Sequence, residues 1–201
     1  MAGIAGGFGY GPENSHEVVM RLFTAIDLTV DVRAELARLQ DELRPLTETA
    51  RWVSPDSIHL TLKFIGETAE KRIDEIDGAL RGIKWKQFPM TVRGVGFFPG
   101  AGSPRVLWAG VEAPSIPDLA LEVDARLERL GLEREKGKLR PHLTLARARE
   151  NRLDTTLINA AKKCASREFG SFPVERFSLY QSTLKASGAV YTRLKEYPLE
   201  R

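Results

Sequence analysis

HLTL stands at His59–Leu62, inside SIHLTLKFIG (57–66), and again at His142–Leu145, inside RPHLTLARAR (140–149). From ordinary residue usage such a tetrapeptide turns up at roughly one position in 10⁵. Two copies in 201 residues therefore call for a physical reason. The chain holds three histidines, and two of them head this motif.

The likeness extends on both sides of the motif. RLFTAIDL (21–28) precedes the first copy and RVLWAGVE (105–112) the second, and both read as strands. An amphipathic helix follows each. Val32, Leu36, Leu39 and Leu43 form one apolar face, and Leu119, Val123, Leu127 and Leu130 form the other. After each HLTL a second helical face follows, with Ile73, Ile76, Leu80 and Ile83 in one half and Leu153, Leu157, Ala160 and Cys164 in the other. Each half then reaches a Phe-Pro pair, Phe88–Pro89 or Phe172–Pro173, taken to open a final strand. Arg21 to Arg105, His59 to His142 and Phe88 to Phe172 are 84, 83 and 84 residues apart. A constant offset points to an internal duplication, with halves of about 21–98 and 105–181. FPGAGSP (98–104) marks a hairpin between them, and Thr183 to Gly188 a turn before a closing strand, AVYTRLKEY (189–197). The expected fold class is α+β, with two pseudo-twofold-related lobes, antiparallel sheets facing a central cleft and helices on the outside. A single α/β domain with accidental similarity is the alternative.

Composition leaves this open but excludes other classes. A hydrophobic fraction of 42% and a charged fraction of 28% are ordinary globular values. No apolar run approaches the roughly 18 residues of a membrane span. The net charge of +3 is compatible with a phosphate or nucleic-acid partner without demanding one. One cysteine, Cys164, allows no internal disulfide, which suits a reducing, cytoplasmic compartment. Residues 1–19 are Gly-rich and aperiodic and lack the blocks of a secretory signal, so they read as a flexible leader that includes His16. Residues 20–201 then form one bilobal domain.

Alternate residues of a strand share a face. His59, Thr61 and Lys63 are expected on one face and Leu60 and Leu62 on the other; His142 and Thr144 likewise oppose Leu143 and Leu145. The leucines anchor each strand, and the His and Thr pairs line the cleft. An imidazole ordinarily titrates near 6.5, so two of them supply one neutral base and one protonated acid near neutral pH. Two hydroxyls and a cation can hold phosphate oxygens as negative charge builds. The constellation suits in-line chemistry at a phosphodiester. A lone strand histidine is more often structural, but two in matched surroundings point to function. A metal site is the weaker reading, because the spacing is not His-Glu-x-x-His and no Cys pair accompanies it. GVGFFPG (94–100) and GLEREKGK (131–138) fail as dinucleotide and phosphate loops.

Two His-x-Thr-x motifs in a duplicated α+β chain resemble the 2H phosphoesterase superfamily, and within it the RNA 2′,3′-cyclic phosphodiesterases, also called 2′-5′ RNA ligases. The resemblance runs through MRLFTAIDL, HLTLKFIGE, FFPGAGSPRVLWAGV, RPHLTLAR and YQSTLKASGAVYTRLKEYPL. It implies hydrolysis of an RNA-terminal 2′,3′-cyclic phosphate to a 2′-phosphate without metal, ATP or other cofactor, with 2′-5′ joining as the reverse. By the same resemblance His59 is the proton donor and His142 the acceptor, roles that sequence symmetry leaves exchangeable. Thr61, Thr144 and Arg147 bind the phosphate, and Phe64 and Lys63 are possible substrate contacts. Strict alternation would turn Arg147 away from His142 unless a bulge or the strand's end near Ala146 intervenes. Lys136, Lys138, Arg140, Arg147, Arg149 and Arg152 surround the second motif, as an RNA track or as a solvated basic turn. The expected partner is RNA with a cyclic-phosphate end, or a cyclic nucleotide, with no membrane and a monomeric protein. Another phosphodiester substrate, or a non-catalytic nucleotide-binding module, is the rival reading.

Overall fold

The computed structural model describes residues 18–100, 102–186 and 188–201. The expected leader up to Glu17, with His16, lies outside them. Val18 and Val19, also assigned to that leader, belong to the fold. β1 (Val19–Asp27) starts at Val19, which pairs with Ala69, and the carbonyl of Val18 accepts from Glu70 N at 2.8 Å.

α1 (Val30–Leu43) begins where the Thr29 hydroxyl accepts from Val32 N at 3.5 Å, with Asp31 in the first turn facing the positive helix end. Its apolar stripe, Val32, Leu36, Leu39 and Leu43, is buried throughout. Removing any of these to Ala costs about 2–5 kcal/mol. β2 (Ala50–Trp52) and a 3₁₀ turn (Pro55–Ser57) lead into β3 (His59–Ala69), then α2 (Ile73–Arg81) and β4 (Phe88–Phe98). The second half runs β5 (Val106–Glu112), α3 (Ser115–Glu128), β6 (His142–Ala148), α4 (Thr155–Lys162), β7 (Glu168–Val174), β8 (Arg176–Lys185) and β9 (Gly188–Pro198). The helical faces read from the sequence are real but run past the helix ends. Ile83, Leu130 and Cys164 lie beyond α2, α3 and α4, and Ala161 rather than Ala160 is the buried alanine of α4.

Two antiparallel sheets carry the molecule, ordered β3-β1-β8-β9 and β2-β6-β5-β4-β7. The pseudo-twofold matches β3 with β6, β1 with β5 and β8 with β4. The sequence halves are not the lobes, however. β4 leaves the first half to pair with β5, and β8 leaves the second to pair with β1, so each half lends its last strand to the other sheet. The reason is local. β4 and β5 pair antiparallel up to Phe98 opposite Val106, which ties the end of one half directly to the start of the next.

Phe172–Pro173 departs from expectation. It closes β7 and does not open β8, and Pro173 sits opposite Pro89 in the β4–β7 ladder. Within the stretch expected to turn, Thr183 to Gly188, β8 and β9 stay paired out to Lys185 and Gly188. One continuous core fills the side of both sheets covered by helices, while Phe23, Ala25 and Tyr180 form a small second cluster on the opposite side. No helix among the described residues is long and apolar enough to cross a membrane.

Candidate active site

A cleft of about 1140 Å³ separates the sheets, and its lining includes His59, Thr61, Phe64, His142, Thr144 and Arg147. Both motif strands reach it by the same device. In the β1–β3 ladder Ala25 faces Thr61 and Thr24 faces Lys63, so Leu62 is an extra residue. In the β5–β6 ladder Trp108 faces Thr144 and Leu107 faces Ala146, so Leu145 is extra. A bulge shifts the alternation by one, and two successive residues turn to the core. Residues five after each histidine therefore return to the cleft. This places Arg147 on the same side as His142, as the bulge considered for Ala146 required, and Phe64 in the matching position, 63% exposed.

The bulge also overturns one expectation. Lys63 does not share the histidine face. It is 1% exposed, and its ammonium donates to Asp124 Oδ1 at 2.5 Å and to the Glu133 carbonyl at 2.7 Å. An ammonium committed to a buried carboxylate is not a substrate contact. Asp124 also accepts from Glu135 N at 3.2 Å, and Glu135 Oε1 accepts from Phe64 N at 3.2 Å. The pair thus pins the 133–135 segment against β3. On the other strand Gln40 Nε2 donates to Val53 O at 2.8 Å and to Leu145 O, the carbonyl of the bulge residue, at 3.0 Å.

Each histidine is clamped in the same way. His59 Nδ1 lies 2.8 Å from Ser57 O, and His142 Nδ1 lies 2.7 Å from Arg140 O. A carbonyl can only accept, so Nδ1 carries the proton in both rings and Nε2 is left to face a substrate. Nε2 then serves as base when the ring is neutral and as acid when it is charged. Arg33 holds the turn before His59 by donating to Pro55 O at 3.1 Å.

The surroundings of the two rings differ. Phe23 stacks on His59 with centroids 4.8 Å apart, and Tyr191 meets it edge-on at 5.0 Å. Burial in this aromatic nest lowers the His59 pKa below its ordinary value, against the opposing pulls of the Ser57 carbonyl and Asp27. Asp27 accepts from Tyr180 Oη at 2.6 Å and from Arg193 at 2.9 Å. His142 has a single ring neighbour among these contacts, Phe98, edge-on at 4.9 Å. Phe98 leans on Trp108 at 5.2 Å, and the indole lies over Gly96, where a Cβ would come within 2.2 Å of it.

Phe23, Asp27, Tyr180, Tyr191 and Asp124 escaped sequence reasoning. Asp124 left one trace, because it stands 84 residues after Gln40, and both are polar residues buried in helices. The basic cluster divides. Lys136, Lys138, Arg140 and Arg147 line the cleft, whereas Arg152 lines a separate hollow beside Thr47 and Asp154 and Arg149 lies off both. Lys136 pairs with Glu133 at 2.9 Å. No group of three or more His, Cys, Asp or Glu among the described residues is placed to hold a metal ion.

A family model described as LigT like Phosphoesterase matches residues 26–108 and 111–191. The chain is 34% identical over 179 residues to an RNA 2′,3′-cyclic phosphodiesterase of Archaeoglobus fulgidus, covering 89% of this chain and 99% of that protein. A Thermus thermophilus protein of the same name is 35% identical over 192 residues, 90% of each chain. Among solved structures, TT0787 of Thermus thermophilus superposes with a TM-score of 0.77 at 33% identity, over 89% of this chain and 97% of that one. LigT of E. coli complexed with 3′-AMP gives 0.75 at 27% identity, over 92% and 100%.

Proposed function

The chain belongs to the LigT-like phosphoesterase family, and on that premise we propose that it hydrolyses the 2′,3′-cyclic phosphate at an RNA end to a 2′-phosphate, using His59 and His142 as its acid and base. One observation carries the reading. Two imidazoles, each with Nδ1 held on a carbonyl two residues back, present Nε2 to one cleft, each with a threonine two residues on.

In the step proposed, His142 Nε2 takes a proton from water as the water oxygen bonds to phosphorus. The bond from phosphorus to the 3′-oxygen breaks, and that oxygen receives the proton of His59 Nε2. Thr61, Thr144 and Arg147 hold the non-bridging oxygens as their charge grows. For His59 to act as donor it must be charged. The aromatic nest opposes this, while Asp27 and an arriving phosphate anion favour it. With a 5′-hydroxyl in place of water, the same step in the same direction forms a 2′-5′ link.

The test is to incubate the protein with a 2′,3′-cyclic nucleotide and with a cyclic-phosphate-ended RNA, in EDTA and without ATP, and to identify the product isomer. A 2′-phosphate that is lost in His59→Ala and in His142→Ala is the expected result. No product from a folded sample sinks the proposal. Lys138 and Arg140 are exposed at the cleft and are proposed to meet the RNA backbone. Added salt should therefore weaken turnover of a long RNA more than that of a cyclic mononucleotide. Equal salt dependence removes that part.

A further inference from the structure

β2 is only three residues long, and its middle residue, Arg51, lies directly opposite Arg147. Residues directly opposite on an antiparallel ladder project from the same face, with Cβ atoms about 4.5–5.5 Å apart. Arg147 lines the cleft, so Arg51 stands on the cleft side too. Like charges so placed repel, and among the described residues no carboxylate pairs with either guanidinium. Arg51 also spans the cleft at this end. Its Nη2 lies 3.2 Å from the point a Cβ would occupy on Gly188, the first residue of β9 in the other sheet.

The position relative to the reacting centre is set by the ladder. Thr144 faces Trp108 and Arg147 faces Val106, two residues apart on β5, which is about 7 Å along the strand. Arg147 therefore stands one step out from Thr144, and Arg51 lies beyond it on β2. Two guanidinium forks on neighbouring strands, neither held by a carboxylate among the described residues, match the oxygens of a phosphate. A cyclic phosphate already occupies the 2′ and 3′ oxygens of the terminal ribose. The only other phosphate on that nucleotide is the one on its 5′ side.

We propose that Arg51 and Arg147 form a second phosphate subsite that takes the phosphodiester on the 5′ side of the terminal nucleotide, so that chain ends are preferred over free cyclic nucleosides. The inference rests on the cyclic phosphodiesterase reading above. Arg147 stands between the two phosphates, and Arg51 reaches only the outer one.

Three substrates test it: cytidine 2′,3′-cyclic phosphate, the same compound with a 5′-phosphate, and the dinucleotide CpC ending in a 2′,3′-cyclic phosphate. Both 5′-phosphorylated forms are expected to raise kcat/KM at least about tenfold, chiefly through KM. Arg51→Met should bring that ratio close to one, and Arg51→Lys should keep part of it. A ratio near one in the unaltered protein overturns the proposal, as does a uniform loss on all three substrates in Arg51→Met. A gain with the monoester but not with CpC overturns the preference for chain ends. If none of the three turns over, the failure belongs to the activity and not to the subsite. Calorimetry with cytidine 3′,5′-bisphosphate against cytidine 3′-phosphate then decides. The second phosphate must tighten binding, and Arg51→Met must abolish the gain; equal affinities in the unaltered protein overturn the subsite.

Discussion

The β3 and β6 walls of the cleft share a backbone and differ in nearly everything attached to it. Both place a histidine on a carbonyl two residues back, both insert an extra leucine after the threonine, and both return the residue five after the histidine to the cleft. On β3 that residue is Phe64, the histidine is half-buried among aromatic rings, and the bulge is braced by the Lys63–Asp124 ion pair. On β6 the residue is Arg147, the ring has Phe98 edge-on as its one ring neighbour among the described residues, and a neutral amide, Gln40, supplies the brace. A twofold backbone has thus been given one apolar wall and one cationic wall. An asymmetric substrate needs this, because two identical imidazoles would otherwise bind it in two opposite directions.

The largest effect expected is on turnover. His59→Ala and His142→Ala should each lower kcat on a cyclic nucleotide by about 10²–10⁴. The double variant should fall well short of the product of the two losses, because the residues act as a unit. If either single variant stays within a few-fold of the unaltered protein, the two walls are alike in shape only.

Next comes the contrast between the braces. Lys63→Met takes the ammonium from Asp124, 4% exposed, and leaves it Glu135 N at 3.2 Å and Arg134 Nε at 3.4 Å, and should cost up to about 3–5 kcal/mol in urea unfolding. Gln40→Leu removes donors from two carbonyls, one of which, Leu145 O, keeps Val53 N at 2.9 Å. Its cost should be smaller, about 1–3 kcal/mol. The reverse order would mean that the ion pair is not what supports β3. Below these stand the hydroxyls. Thr61→Val and Thr144→Val should each lower kcat/KM by roughly tenfold if each loses one hydrogen bond to a charged phosphate. A large loss in one and none in the other would show that the phosphate leans on a single wall.

The smallest effect is a displacement of a pH limb. The kcat/KM profile reports the free enzyme, in which His59 titrates below 6.5. As the acid, His59 would make activity fall with rising pH through a midpoint below 6.5; as the base, it would make activity rise there instead. Residual turnover in His59→Ala should lack that limb. The sign for stability is separate. The unfolded ring takes up its proton from about pH 6.5 downward, while the folded ring resists until lower pH. His59 therefore costs stability progressively as pH falls through that window, and the loss levels off below the folded pKa. His59→Phe should flatten this part of the stability profile, as followed by urea unfolding at several pH values.

Much of this was legible because apolar periodicity and a repeated motif are local signals. The buried stripe of α1, the antiparallel pairing of β4 with β5 and the shared face of His and Thr follow directly from spacing. Lys63 was misplaced because strict alternation cannot register an extra residue, and a bulge leaves little mark in composition. Arg147 was carried to the correct side by family resemblance where alternation failed. The exchange of β4 and β8 between sheets was not legible, because which strands pair is settled by contacts between distant segments. The aromatic nest around His59 was hidden for the same reason, since Phe23, Tyr180 and Tyr191 come from three strands of a sheet assembled from both ends of the chain.

That assembly has a kinetic consequence. β1 and β3 lie early in the chain, but their sheet is completed by β8 and β9, so Phe23 waits for Tyr180 and Arg21 for Ser182. During synthesis the strand edge of β1 stays open until β8 has left the ribosome, whereas β4 and β5 can pair as soon as both have emerged. The wall that carries His142 can therefore be framed early, and the wall that carries His59 closes last.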